Sequence, residues 1–75
     1  MWRIDYVSEK PDGTWSIMWN EWMGMEKGCR EVFRGLNHLD PGRGYFLLDQ
    51  HGNVVEKKLS SRNLRTGVES VTQSK

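Results

Sequence analysis

The groups able to do nucleophilic, acid–base or metal chemistry are few: Cys29, His38, His51 and scattered carboxylates. A catalytic cysteine acts as the thiolate and needs a partly exposed, electropositive setting. Cys29 falls instead inside an apolar stripe, where a small buried thiol behaves as core. His38 with Asp40, and Asp49 with His51, each bring two metal-capable side chains together, but both pairs lie in turn sequence. Neither pair has the further Cys or His ligands of a structural zinc site. Gly42-Arg43-Gly44 offers backbone donors and a guanidinium to a phosphate. It lacks the lysine and the length of a P-loop, and glycine ahead of a strand is ordinary turn punctuation. No catalytic residue, metal site or cofactor site emerges, and the chain reads as non-catalytic.

Two other patterns carry binding chemistry. Trp2, Trp15, Met18, Trp22 and Met23 belong, with Trp19 and Met25, to an aromatic and methionine surplus in the first third of the chain. One small helix-on-sheet core does not cover them all, and exposed apolar patches mark partner surfaces in which tryptophan dominates the energetics. The second pattern is basic: Arg43, and then Lys57, Lys58, Arg62 and Arg65 with no acid among these last four. Such groups meet phosphates while sheet aromatics such as Tyr45 or Trp15 stack on bases. A solvated, aggregation-resistant sheet edge accounts for Lys57 and Lys58 as simply. The expected role is therefore a small accessory or regulatory module that binds protein, with a homodimer among its forms. Nucleic-acid binding through Arg43, Lys57, Lys58, Arg62 and Arg65 is the alternative.

These side chains must be positioned by short elements. Trp2, Ile4 and Tyr6 alternate, as do Trp15, Ile17 and Trp19, and a period of two marks half-buried strands. Lys10-Pro11-Asp12-Gly13 supplies the turn between them. A four-residue loop sets Tyr6 opposite Ile17 and Ile4 opposite Trp19, with the large side chains on one face. From Trp22 the spacing of Met25, Cys29, Val32, Phe33 and Leu36 becomes helical, which predicts a helix over 21–36 with Asn20 as N-cap. Phe33 sits mid-stripe and is expected in the core against Ile4 and Ile17. Tyr45 to Asp49 and Asn53 to Leu59 form a second hairpin about Asp49-Gln50-His51-Gly52, with Leu47 facing Val55 and Leu48 facing Val54. The fold expected is α+β: a single small β-β-α-β-β domain over 1–60, whose four-stranded antiparallel sheet runs 2-1-3-4 with one helix on one face and the other face uncovered.

Composition agrees with so small a unit. Seventy-five residues with a net charge of +1 leave room for one core, and the mixed charge is that of a soluble surface. The single cysteine fits a reducing compartment, and no apolar run approaches the ~20 residues of a membrane span. With no signal-peptide pattern behind Met1, the expectation is a complete cytoplasmic product. Residues 61–75 hold Arg62, Arg65 and Lys75 against Glu69 and lack aromatics, so they read as a disordered basic tail.

Overall fold

The computed structural model describes residues 1–62 and the backbone of residues 69–70. The elements are β1 (Trp2–Glu9), β2 (Trp15–Gly24), α1 (Glu26–Gly35), β3 (Arg43–Leu48), β4 (Val54–Ser60) and the two-residue β5 (Glu69–Ser70). They build one antiparallel sheet in the order β2-β1-β3-β4-β5, so the expected 2-1-3-4 arrangement is present with a short fifth strand beyond it. The remainder of the expected tail, Arg65 and Lys75 included, lies outside the described residues.

Both hairpins close by the same chemistry. Asp12 Oδ1 accepts from the Thr14 amide at 2.9 Å, and Asp49 Oδ1 accepts from the amides of His51 and Asn53 at 2.9 and 3.0 Å. Gly13 and Gly52 then take φ of 90° and 84°, a left-handed conformation that other residues rarely adopt. The Lys10 amide donates to Thr14 O, and the Asp49 amide to Asn53 O, which fixes where each ladder begins.

The first ladder departs from the expected register. Tyr6 lies opposite Trp19, Ile4 opposite Trp22, Val7 opposite Ile17 and Glu9 opposite Trp15. Two irregularities, which leave Met18 and Glu21 as the extra residues of β2, cause the shift. Each bulge reverses the facing of the residues beyond it, so Trp19 and Trp22 share the face of Ile4 and Tyr6, while Trp15 and Ile17 join that of Val7 and Glu9. In the second ladder Leu48 lies opposite Val54 as expected, but a bulge sets Leu47 against Glu56 rather than Val55.

The helix also differs from its expected span. β1 pairs with β2 as far as Gly24, and this ladder holds residues 21–24 extended. Trp22 therefore belongs to a strand, although its spacing also fits the helical stripe. Met25, not Asn20, is the N-cap residue; its backbone is extended and no side chain caps the first turn. Asn20 instead donates from Nδ2 to the carbonyls of Ile4 and Trp22, at 3.1 Å each, across and along the bulged strand.

Ile4, Cys29, Phe33 and Leu47 form the buried cluster, with Trp2, Val32, Leu36, Tyr45 and Val55 packed on it. Ile17 has no place in that cluster, because its bulged strand turns it to the other face. That other face is not bare, contrary to expectation: Val7 is 0% exposed, Asp5 2% and Leu48 4%. Val7 lies opposite Gly44, and Gly44 opposite Leu59. A Cβ on Gly44 would run into Leu59 and the Lys58 carbonyl, so the missing side chain lets Leu59 fold over this row.

Glu9 joins the ends of the sheet. Its carboxylate accepts from the Ser61 hydroxyl at 3.0 Å and the Arg62 amide at 2.8 Å, and its carbonyl accepts from the Arg62 guanidinium at 2.6 Å.

Candidate protein-docking surface

β2 is the terminal strand of the sheet, ten residues long, and Glu21 is its only charged residue. Ile17, Met18, Trp19, Trp22 and Met23 along it are each between 46% and 56% exposed, and Met25 beyond it is 79% exposed. Large apolar side chains left half in water along one edge are the kind of surface that partners cover. Among the described residues no strand pairs with the outer edge of β2.

The patch has two sides because the bulges divide it. On the helix-bearing face, Trp19 stacks on Tyr6 with ring centroids 4.6 Å apart and planes 27° apart, and Tyr6 meets Tyr45 at 5.2 Å. These three rings run across β2, β1 and β3, and Tyr45 at the inner end also packs on the buried cluster under α1. The Trp19 indole N–H donates to Glu21 Oε1 at 2.9 Å, which fixes the ring's outward attitude. Burial, and then the Glu21 carboxylate and Tyr6, raise the Tyr45 hydroxyl above the ordinary tyrosine pKa, so the platform carries no charge of its own at neutral pH. Ile17 and Met23 belong to the opposite face, where they extend the rows of Val7 and Arg3.

Of the residues the sequence singled out for protein binding, Met18, Trp22 and Met23 come together on exposed β2. Trp15 is half-buried opposite Glu9. Trp2 is half-buried on the core cluster, with the Arg30 guanidinium 5.0 Å from its ring centroid. Ile17 and Trp19 are members of the patch that simple alternation assigned to the core. The polar pair Asn20-Glu21, interrupting an otherwise apolar run, is the sequence signal that strict alternation fails there.

Of the basic residues on the described strands, Arg43 and Lys58 lie on the platform's face, Lys58 opposite Tyr45, and Lys57 lies on the other. Lys58 is buried: its ammonium donates to the carbonyl oxygens of Phe33, Arg34 and Leu36 and to Asn37 Oδ1, closing the C-terminus of α1. Desolvation, and secondarily Arg34, push its pKa down. Arg43 donates to Ser8 Oγ at 2.8 Å, Arg62 is held on Glu9, and Lys57 lies 5.8 Å from the Phe46 ring on the face away from the platform.

Candidate chemical groups are similarly committed. Cys29 is buried, and burial raises its pKa. His38 and Asp40 stand 3.8 Å apart and almost fully exposed. The Asp49 carboxylate is occupied by its turn, and those hydrogen bonds, led by the one from the Asn53 amide, lower its pKa. Among the described residues no group of three or more His, Cys, Asp or Glu is placed to hold a metal, and no helix is long and apolar enough to cross a membrane. Comparison with family models, with curated proteins and with solved structures gives no match, so the surface must be read from its own chemistry.

Proposed function

We propose that the protein is a small non-catalytic accessory or regulatory module that docks a protein partner on the β2 edge and its flanking aromatic and methionine side chains. One observation carries the reading: five large apolar residues, Ile17, Met18, Trp19, Trp22 and Met23, stand about half exposed in a row on a terminal strand. An edge strand offers its main chain for pairing, and side chains on alternate faces supply specificity. The single buried Cys29 thiol suits a cytoplasmic setting, where cysteines stay reduced.

Selection from a library of displayed extended peptides on the immobilised protein, with Met18→Lys as counter-target, tests the reading. Recovery of peptides that bind the native surface and lose it on Met18→Lys is expected. A selection in which no peptide distinguishes the two proteins refutes docking at β2. The Trp19–Tyr6–Tyr45 row favours a second reading, stacking of single-stranded nucleic acid. Among the described residues of the basic set, Arg43 is the one free of the helix end and of Glu9 on that face, and phosphate binding requires several. The same immobilised protein, titrated with labelled oligonucleotide at rising salt, shows a steep loss of affinity if that second reading holds.

A further inference from the structure

We infer that the occupant of the β2 edge is a second copy of this chain, paired antiparallel about a twofold axis beside Asn20 so that the two sheets run on as one. The inference rests on the docking reading above and names its partner.

Charge is the first argument. Glu21 is the only acidic or basic residue on β2, so a foreign strand would meet one acid, the polar Ser16 and Asn20, and an otherwise apolar strand. In the twofold pairing Asn20 opposes its own counterpart, Ile17 opposes Met23 and Trp19 opposes Glu21. The two carboxylates are thereby kept apart, and each faces an indole whose N–H already serves a Glu21 carboxylate within its own chain. Ile17 meets Met23 and Met18 meets Trp22, and no like charges are directly opposed.

Shape is the second argument. The bulges at Met18 and Glu21 kink β2, and an edge kinked in this way is matched best by a strand that bends with it. A second copy carries the same kinks, and an axis at Asn20 puts one bulge on either side of it. The chain's own C-terminal strand cannot serve, because β5 lies on β4 at the far edge of the sheet.

Area is the third. Five side chains of roughly 200 Å² each, about half exposed, offer on the order of 500 Å² per copy, so a pair buries about 1,000 Å², the lower bound of a specific interface. A symmetric dimer uses the same patch twice and leaves no sticky edge for further growth.

Sedimentation equilibrium on the full chain from about 1 to about 500 µM, with Met18→Lys and Met23→Lys, tests this in the concentration range such an area implies. The wild type is expected to dimerise in the micromolar range, and each variant, melting cooperatively, to bind itself roughly 30-fold or more weakly. Amide hydrogen exchange on the wild type provides a readout free of variants: β2 amides should gain protection as concentration rises. Wild type that stays monomeric throughout overturns the inference, as does a dimer that both folded variants leave unchanged or whose β2 amides gain no protection. A monomer that still selects extended peptides leaves the docking reading standing without self-association; a monomer that selects none removes both.

Discussion

Replacing Lys58 by methionine removes a buried charge while keeping a side chain of similar length and volume. Lys58 is 9% exposed, and its ammonium serves the carbonyls of Phe33, Arg34 and Leu36 and the Asn37 side chain, 4.8 Å from the centroid of the Phe33 ring. The last carbonyls of a helix have no partner within it, so this one group satisfies most of what the C-terminus of α1 leaves open. A hydrogen bond from a charged donor contributes about 1.5–3 kcal/mol net, and a cation at a helix C-terminus up to about 2 kcal/mol when partly buried. Against these stands the desolvation of the ammonium, the effect that lowers its pKa and that methionine abolishes. The favourable contributions overlap, since they arise from the same contacts, and the net loss expected is about 2 kcal/mol. For a domain of this size that is a fall in Tm of about 8–16 °C. Urea denaturation followed by far-UV circular dichroism at pH 7, with a thermal melt beside it, measures both. An unchanged m-value would locate the loss in the folded state. If Lys58→Met melts within about 2 °C of wild type, the ammonium does not hold the helix end, and the explanation of its burial fails.

Phe33 is 2% exposed between Ile4, Cys29 and Leu47, so Phe33→Ala should cost about 3–5 kcal/mol and leave most molecules unfolded at 25 °C; a cooperative melt near wild type, by circular dichroism, would remove it from the core. Cys29 adds a pH dependence. Burial raises its pKa above the ordinary 9.0, so above that pH the unfolded chain releases a proton that the folded chain retains. Its contribution is whole below pH 9.0 and is lost as pH rises toward the folded value. The stability of wild type relative to Cys29→Ala should therefore shrink between pH 8 and pH 10, and a difference that stays flat in urea titrations would show the thiol to be solvated.

Strand order and hairpin turns were legible because local rules determine them. Asp12-Gly13 and Asp49 with Gly52 force chain reversal through side-chain acceptors and positive φ, whatever surrounds them. The stripe Cys29, Val32, Phe33 and Leu36 likewise finds its core from periodicity alone. The helix start was not legible, since Trp22 fits the helical stripe and the strand equally and only pairing with Ile4 decides between them. The bulges at Met18 and Glu21 were only hinted at, by the polar pair Asn20-Glu21, for the same reason. A bulge is a relation between two strands, and alternation within one strand cannot record it. Lys58 reads as a solvated edge lysine until the helix end is placed above it, when its long stem and ammonium become a cap. The candidate site was accordingly only partly visible: Met18, Trp19, Trp22 and Met23 were recognisable as surplus, whereas Ile17 looked like core.

The length of β2 links the fold to the docking surface. A ten-residue helix is about 15 Å long, and it begins only after Gly24, at the end of the sheet where Trp2 lies. It can therefore cover Trp2, Ile4, Leu47 and Val55 and reach Tyr45, whereas Tyr6 and Trp19 stand outside that cluster. Had the helix begun at Glu21, Trp22 and Met25 would have fallen on its stripe, and β2 would have been too short to form a patch. Extending the strand gives up that burial, and the fold is held instead by the Phe33 cluster, the Lys58 cap and the Glu9 clamp, whose named contacts involve neither the Met18 nor the Met23 side chain. A lysine at Met18 or Met23 thus changes what the edge can bind while leaving intact what makes the chain fold, and loss of association in such a variant can be assigned to the surface itself.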